Sequence, residues 1–175
     1  MNNALKTKQK GFNLAEMMTT LAITSILSAT AVPAFDGVIE RSQLDAAKSE
    51  MSSSLALARS EAINRNINTA ICTSAGSTCD NSISWTEGWI VFVDENNNGA
   101  RDNAEELLYV NQLGLGKVRV VSNTQVSNVR FRSDGSVINS GSIDVCAGSD
   151  NGLNIAITPI GRTYSSKLDS STCST

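Results

Sequence analysis

Three features of the sequence predict an α+β fold in which one long N-terminal helix packs on an antiparallel β-sheet. An uncharged apolar run lies near the N-terminus. Apolar residues then recur at three- and four-residue steps. From Ile67 onward the pattern changes to short β-rich runs separated by Gly, Asn, Asp and Ser. The 175 residues suit one domain with an appendage, and 41% hydrophobic with 18% charged content suits a packed core.

The apolar run occupies residues 12–35. Glu16 is its only charge, and residues 17–35 carry none. That length is close to the roughly 20 residues that span a bilayer. Lys6, Lys8 and Lys10 precede it, which places the N-terminus in the cytoplasm and everything beyond Phe35 outside. Three readings compete: a secretory signal with Ala29-Thr30-Ala31 as its cleavage site, a plain membrane anchor, and a prepilin signal. Glu16 favours the third. A lone carboxylate four residues inside an apolar run is costly and has no use in a signal peptide.

Residues 36–66 continue the helix in amphipathic form. Leu44, Ala47, Met51, Leu55, Ala58 and Ala62 make a narrow apolar stripe, with Arg41, Asp45, Lys48, Glu50, Arg59 and Glu61 between them. Such a stripe must cover a sheet. Unbroken from Phe12 to about Arg65, the helix would be about 80 Å long. Residues 67–175 form the β-rich part. Strands are predicted at 67–73, 88–93, 106–110, 117–121, 127–132, 142–147 and 153–158, with a turn at Ser133-Asp134-Gly135-Ser136.

Composition excludes several functions. The chain has no histidine, so the commonest general base and metal ligand are absent. Gly114-Leu115-Gly116 is too short for a phosphate loop, and Glu105 with Glu106 reads as solvated surface. An enzyme is the class with least support. Removing the first eleven residues and their three lysines leaves 14 − 3 = 11 basic against 17 acidic residues, a net charge of −6. This surface has no general attraction for nucleic acid.

Cys72, Cys79, Cys146 and Cys173 match no zinc spacing. Two disulfides in an oxidising compartment such as the periplasm are expected, rather than four buried thiols. Of the three possible pairings, Cys72–Cys79 and Cys146–Cys173 are expected. The first closes a short Ser-Ala-Gly-Ser-Thr loop, and the second ties down a Ser/Thr-rich tail that would otherwise fray.

One segment has the donor spacing of a calcium loop. Asp94, Asn96 and Asn98 stand at alternate positions, Gly99 follows, and Asp102 and Glu105 lie beyond. Its flanks are strands rather than helices, and Arg101 stands where an apolar residue normally packs. An Asn-rich hairpin connection explains the same residues. No other cofactor is indicated.

Gly11-Phe12-Asn13-Leu14-Ala15-Glu16-Met17 resembles the type IV prepilin motif, a glycine, a phenylalanine and a glutamate four residues later. Asn13 and Ala15 replace the commoner Thr and Ile. Gly88-Trp89-Ile90-Val91-Phe92-Val93-Asp94, Glu106-Leu107-Leu108, Phe131, Gly135, Val145-Cys146 and Gly161-Arg162 resemble the minor pilin and pseudopilin family of FimT, FimU and GspH. The resemblance implies a pilin-like fold and a leader, residues 1–11, cut by a prepilin peptidase between Gly11 and Phe12. It also implies methylation of Phe12, and pairing of Glu16 with the amino group of a neighbouring subunit. Pro33 falls where pilin helices bend. The implied setting is the bacterial inner membrane, single-pass, with the C-terminal domain in the periplasm. The implied partners are other major and minor pilins and the inner-membrane assembly platform. A structural subunit that starts or caps a type IV pilus is the first reading, and the H-type pseudopilin of type II secretion is the alternative. A DNA receptor is the third, since some relatives bind DNA through a basic motif after Gly-Arg. Here that motif reduces to Arg162, with Lys167 further on, and the second arginine is missing.

Overall fold

The computed structural model describes residues 11–112, 118–122, 127–148, 151–168 and 173; the side chains of residues 30–36 are not among those described. Helix α1 runs Leu14–Arg65 and is followed by β1 Thr69–Thr73, β2 Trp89–Val93, β3 Leu107–Asn111 and β4 Val118–Ser122. Then come β5 Asn128–Phe131, β6 Gly141–Ala147, β7 Asn151–Ile157 and β8 Thr163–Lys167. The N–H groups of Glu16 and Met17 donate to the Asn13 carbonyl, which makes Asn13 the N-cap. Glu16 lies in the first turn, where the helix dipole favours a carboxylate. The helix stops at Asn66, which takes the left-handed conformation (φ 53°), while the Ile67 N–H reaches back to the Ala62 carbonyl. This is the closing bond of a Schellman cap, and Asn is the best residue after Gly for that position.

Two compact units divide the chain, Met1–Val38 and Ile39–Thr175. In the first, the described helix turns expose their large apolar residues all round, including Leu14, Met18, Leu21 and Ile26, each more than 60% exposed. Among the described residues no helix is long and apolar enough to cross a membrane. The uncharged run continues to Phe35, and the side chains of residues 30–36, Pro33 among them, lie outside that set. The leader residues 1–10 lie outside it as well.

In the second unit two antiparallel sheets form, with strand orders β3-β2-β1-β5 and β4-β6-β7-β8. All six residues of the predicted stripe, Leu44 through Ala62, are buried. They share one core with Trp89 and Val91 of the first sheet and Val120, Val145 and Ile155 of the second. Polar bonds fix the contact. The buried Trp89 Nε1 donates to Ser54 Oγ at 2.9 Å, and Thr69 Oγ1 donates to the Ala58 carbonyl at 2.7 Å. Arg59 Nε and Nη2 donate to the carbonyls of Gly135 and Ile160. The Tyr109 hydroxyl donates to Glu50, and this bond, together with burial, raises the phenol pKa. The outer face of the first sheet has its own small cluster, Ala70, Cys72, Ile90 and Phe92.

Seven of the eight strands fall within about two residues of the sequence expectation, the usual uncertainty of strand ends. The eighth, Thr163–Lys167, was not expected: its sequence TYSSK has neither apolar alternation nor a β-branched run, and all five residues are exposed. One sheet was expected and two are present. A single helix stripe can serve both because each sheet presents alternate residues to it.

Cys72 is bonded to Cys79 and Cys146 to Cys173, the two pairings read from the sequence. The second joins β6 to the tail beyond β8, and Gly152 of β7 lies beneath it; a Cβ there would sit 2.5 Å from Cys173 Sγ. The chain-entropy model assigns about 3–4 kcal/mol to a loop of this size. Cys173→Ser is expected to lower the melting temperature by about 5–15 °C and to speed amide exchange in β8. Calorimetry and hydrogen exchange check this; an unchanged melting temperature would show that the tail contributes no stability.

Candidate functional site

The processing and assembly candidates sit at the helix start. Phe12 is 75% exposed, and Glu16 lies exposed in the first turn, with no described side chain pairing its carboxylate. The rest of that turn, Leu14, Met17 and Met18, is apolar and exposed. The arrangement presents one carboxylate within an apolar surface, which suits a cation delivered by another helix.

The segment from Asp94 to Glu105 connects β2 to β3. Asp94 is fully buried and Glu105 nearly so. Asp94 Oδ1 accepts the Asn98 N–H and Oδ2 accepts the Gly99 N–H, while Glu105 accepts the N–H groups of Glu95 and Asp102. Asn96 Oδ1 accepts the Asn98 N–H, Asn98 Oδ1 accepts the Ala100 N–H, and Asp102 Oδ2 accepts the Asn96 amide. Each residue named for calcium thus has at least one side-chain oxygen accepting an N–H of the loop itself. Among the described residues no three carboxylate, thiolate or imidazole side chains come together to hold a metal ion. The loop holds its shape as a hydrogen-bonded connection. Burial pushes the Asp94 carboxyl above the ordinary range, opposed by the Gly99 and Asn98 N–H groups and assisted by the nearby Glu105 charge.

Arg101, the residue out of place in a calcium loop, has a different task. Its Nη1 donates to the Ser77 carbonyl, its Nη2 to the Glu105 carbonyl, and its N–H to Cys79 Sγ. It ties this connection to the loop closed by Cys72–Cys79.

Arg162 and Lys167 lie at the two ends of β8. Gly161 before them has φ 75°, and a Cβ there would sit 2.0 Å from the Gly135 carbonyl oxygen, so only glycine fits the turn. Two depressions flank the strand. One, about 240 Å³, is lined by Leu55, Ala56 and Arg59 of α1 with Arg162, Thr163 and Tyr164. The other, about 310 Å³, is lined by Arg41, Leu44 and Asp45 of α1 with Leu153 and Lys167. That Arg41 and Arg59 join Arg162 and Lys167 is not legible in the sequence, because the strand that brings them together has no recognisable pattern.

The family profile described as Type II transport protein GspH matches residues 47–161, more than half of the chain. The chain belongs to the GspH family. The match begins in the packed part of α1 and ends at Gly161, so β8 and Cys173 lie beyond it. Among solved structures, the type IV minor pilin FimU of Pseudomonas aeruginosa has the same fold in two crystal forms. One superposes with a TM-score of 0.58 at 21% identity, covering 76% of this chain and 93% of FimU. The other gives 0.53 at 18% identity, with 74% and 95% covered. No curated protein matches the chain. The fold of this GspH-family chain is therefore pilin-like: an N-terminal helix packed on antiparallel sheet.

Asp94→Ala leaves the Asn98 and Gly99 N–H groups without their acceptor, and it is expected to cost about 1–3 kcal/mol in chemical denaturation. The raised folded-state pKa favours folding at low pH, and that contribution is lost as pH rises through the raised value. The gap between the native chain and the variant should therefore shrink as pH rises through that range. A gap that widens would show that the Gly99 and Asn98 N–H groups outweigh burial at Asp94.

Proposed function

We propose that this GspH-family chain is a minor pilin: a non-enzymatic structural subunit that helps initiate or cap a type IV pilus. In this reading it is cut between Gly11 and Phe12, held in the inner membrane by residues 12–35, and carries residues 67–175 in the periplasm. The observation that carries the reading is the two-sided helix. Its described N-terminal turns expose apolar residues in every direction around a single carboxylate, Glu16, while residues 44–62 bury a stripe in the domain core. A soluble protein gains nothing from such exposure. A subunit whose N-terminal helix lies first in lipid and then among like helices needs it. Glu16 then pairs with the free amino group of a neighbouring pilin, since both charges lack water and gain from proximity.

The alternative, an H-type pseudopilin of type II secretion, is favoured by the family description itself. It uses the same anchor and the same helix contact in a different machine. A DNA receptor rests on Arg162 and Lys167 alone.

The test is the N-terminus of protein extracted from membranes. Mass spectrometry is expected to find a mature chain beginning at methylated Phe12. A chain beginning at Val32 would mean cleavage after Ala31 and would remove the pilin role. In the same cells, Glu16→Ala should insert in the membrane normally but fail to enter fibres; normal incorporation would refute the pairing assigned to Glu16.

A further inference from the structure

Strand β8 is unlike the other edge strands of the molecule. The edges β3, β4 and β5 each bury at least one residue, whereas all five residues of β8 are exposed. The register pairs Leu153 with Lys167, Ile155 with Ser165 and Ile157 with Thr163. Ile155 and Ile157 face the core. Thr163, Ser165 and Lys167 therefore lie on the helix side of the sheet, where α1 does not cover them.

The backbone of the same three residues is open. The Thr158 N–H donates to the Arg162 carbonyl, and the Leu168 N–H donates to the Gly152 carbonyl. Alternation along an antiparallel pair then assigns residues 162, 164, 166 and 168 to bonding with β7. Thr163, Ser165 and Lys167 turn their N–H and C=O groups away from it, toward the open edge of the sheet. Among the described residues no backbone partner is found for them on that side.

The surroundings are cationic. Arg59 and Arg162 line one depression, and Arg41 and Lys167 the other, with Asp45 the only carboxylate among the lining residues. No described carboxylate forms a salt bridge with any of the four. Ile160 and Tyr164, both more than half exposed, add apolar surface at one end.

We infer that β8 is the docking edge for an extended acidic segment of a neighbouring fibre subunit, which adds as a fifth strand to the sheet β4-β6-β7-β8. The inference rests on the fibre-subunit reading and names the surface by which this subunit holds its neighbour. An edge offering donors and acceptors in turn matches a peptide backbone, which carries both. A nucleic-acid backbone has only acceptors at its phosphates and leaves the outward carbonyls unmet. The two depressions are separated by the length of β8, about 13 Å at 3.3 Å per residue. An added strand therefore reaches both with acidic side chains four residues apart on one face, and with a β-branched residue between them opposite Ser165.

The test uses the full chain in detergent micelles and the peptide acetyl-Thr-Glu-Thr-Val-Thr-Glu-Thr-amide as probe. Hydrogen exchange over residues 161–168 is followed with and without the peptide. The amides of Thr163, Ser165 and Lys167 are expected to slow at least about tenfold, with no change in β3. Ser165→Pro removes the central outward donor, at a position where an edge strand tolerates proline, and should abolish the slowing. Should that variant fail to fold, the pair Arg41→Gln and Lys167→Gln, both exposed, serves instead and should weaken the effect. Equal protection by the all-D peptide of the same charge would overturn the inference, as would no protection by either peptide. Protection by an oligothymidylate but not by the peptide would assign the cations to nucleic acid and overturn it too. The measurement makes no use of fibre assembly. A mature N-terminus other than Phe12 would remove the fibre role and leave the peptide result standing, and the converse holds.

Discussion

One stripe of six residues on α1 serves as the common wall of two sheets. Leu44, Ala47, Met51, Leu55, Ala58 and Ala62 meet apolar residues from both the β3-β2-β1-β5 sheet and the β4-β6-β7-β8 sheet. Three of the six are alanines, so the helix backbone comes close to the strands, and the larger volume is supplied from the sheets by Trp89, Phe131 and the β-branched residues. Close approach brings polar groups with it, and several are paired across the contact. Ser54 receives the Trp89 N–H, the Ala58 carbonyl receives the Thr69 hydroxyl, and Arg59 spans to Gly135 and Ile160. A buried polar group left unpaired costs more than its bond contributes, so these pairings fix one register of helix on sheet.

The earlier part of α1 contrasts with this packed stretch. Its described apolar residues are exposed on every side. A helix that is hydrophobic all round is stable only where lipid or other helices surround it. Residues 44–62 build the domain core, and the described turns from Leu14 onward expose their apolar residues. Glu16 is the carboxylate among the described side chains of those turns.

Much of the fold could be read from the sequence because burial leaves a periodic trace. The six-residue stripe was legible at its three- and four-residue spacing, and seven strands were legible as β-rich runs between turn residues. The cysteine pairing could be argued from a short loop and a polar tail. Three things left no trace. Strand β8 is polar and uncovered, so nothing in Thr-Tyr-Ser-Ser-Lys alternates. The division into two sheets depends on which strands neighbour each other, and a chain order does not encode that directly. The approach of Arg41 and Arg59 to the ends of β8 follows from that topology and was equally hidden. The segment Asp94–Glu105 carries a donor spacing that suggests a cation; in the fold its oxygens accept N–H groups of the loop, and Arg101 binds a neighbouring loop.

If one helix stripe holds both sheets, the domain must open as one unit. Native-state hydrogen exchange on the full chain in detergent, read across increasing denaturant, measures this directly. The account predicts that amides of residues 44–62, of β1 and β2, and of β6 and β7 converge on a single opening free energy, the highest in the molecule. Two distinct values, one for each sheet, would show that the sheets stand without a shared helix and would contradict it.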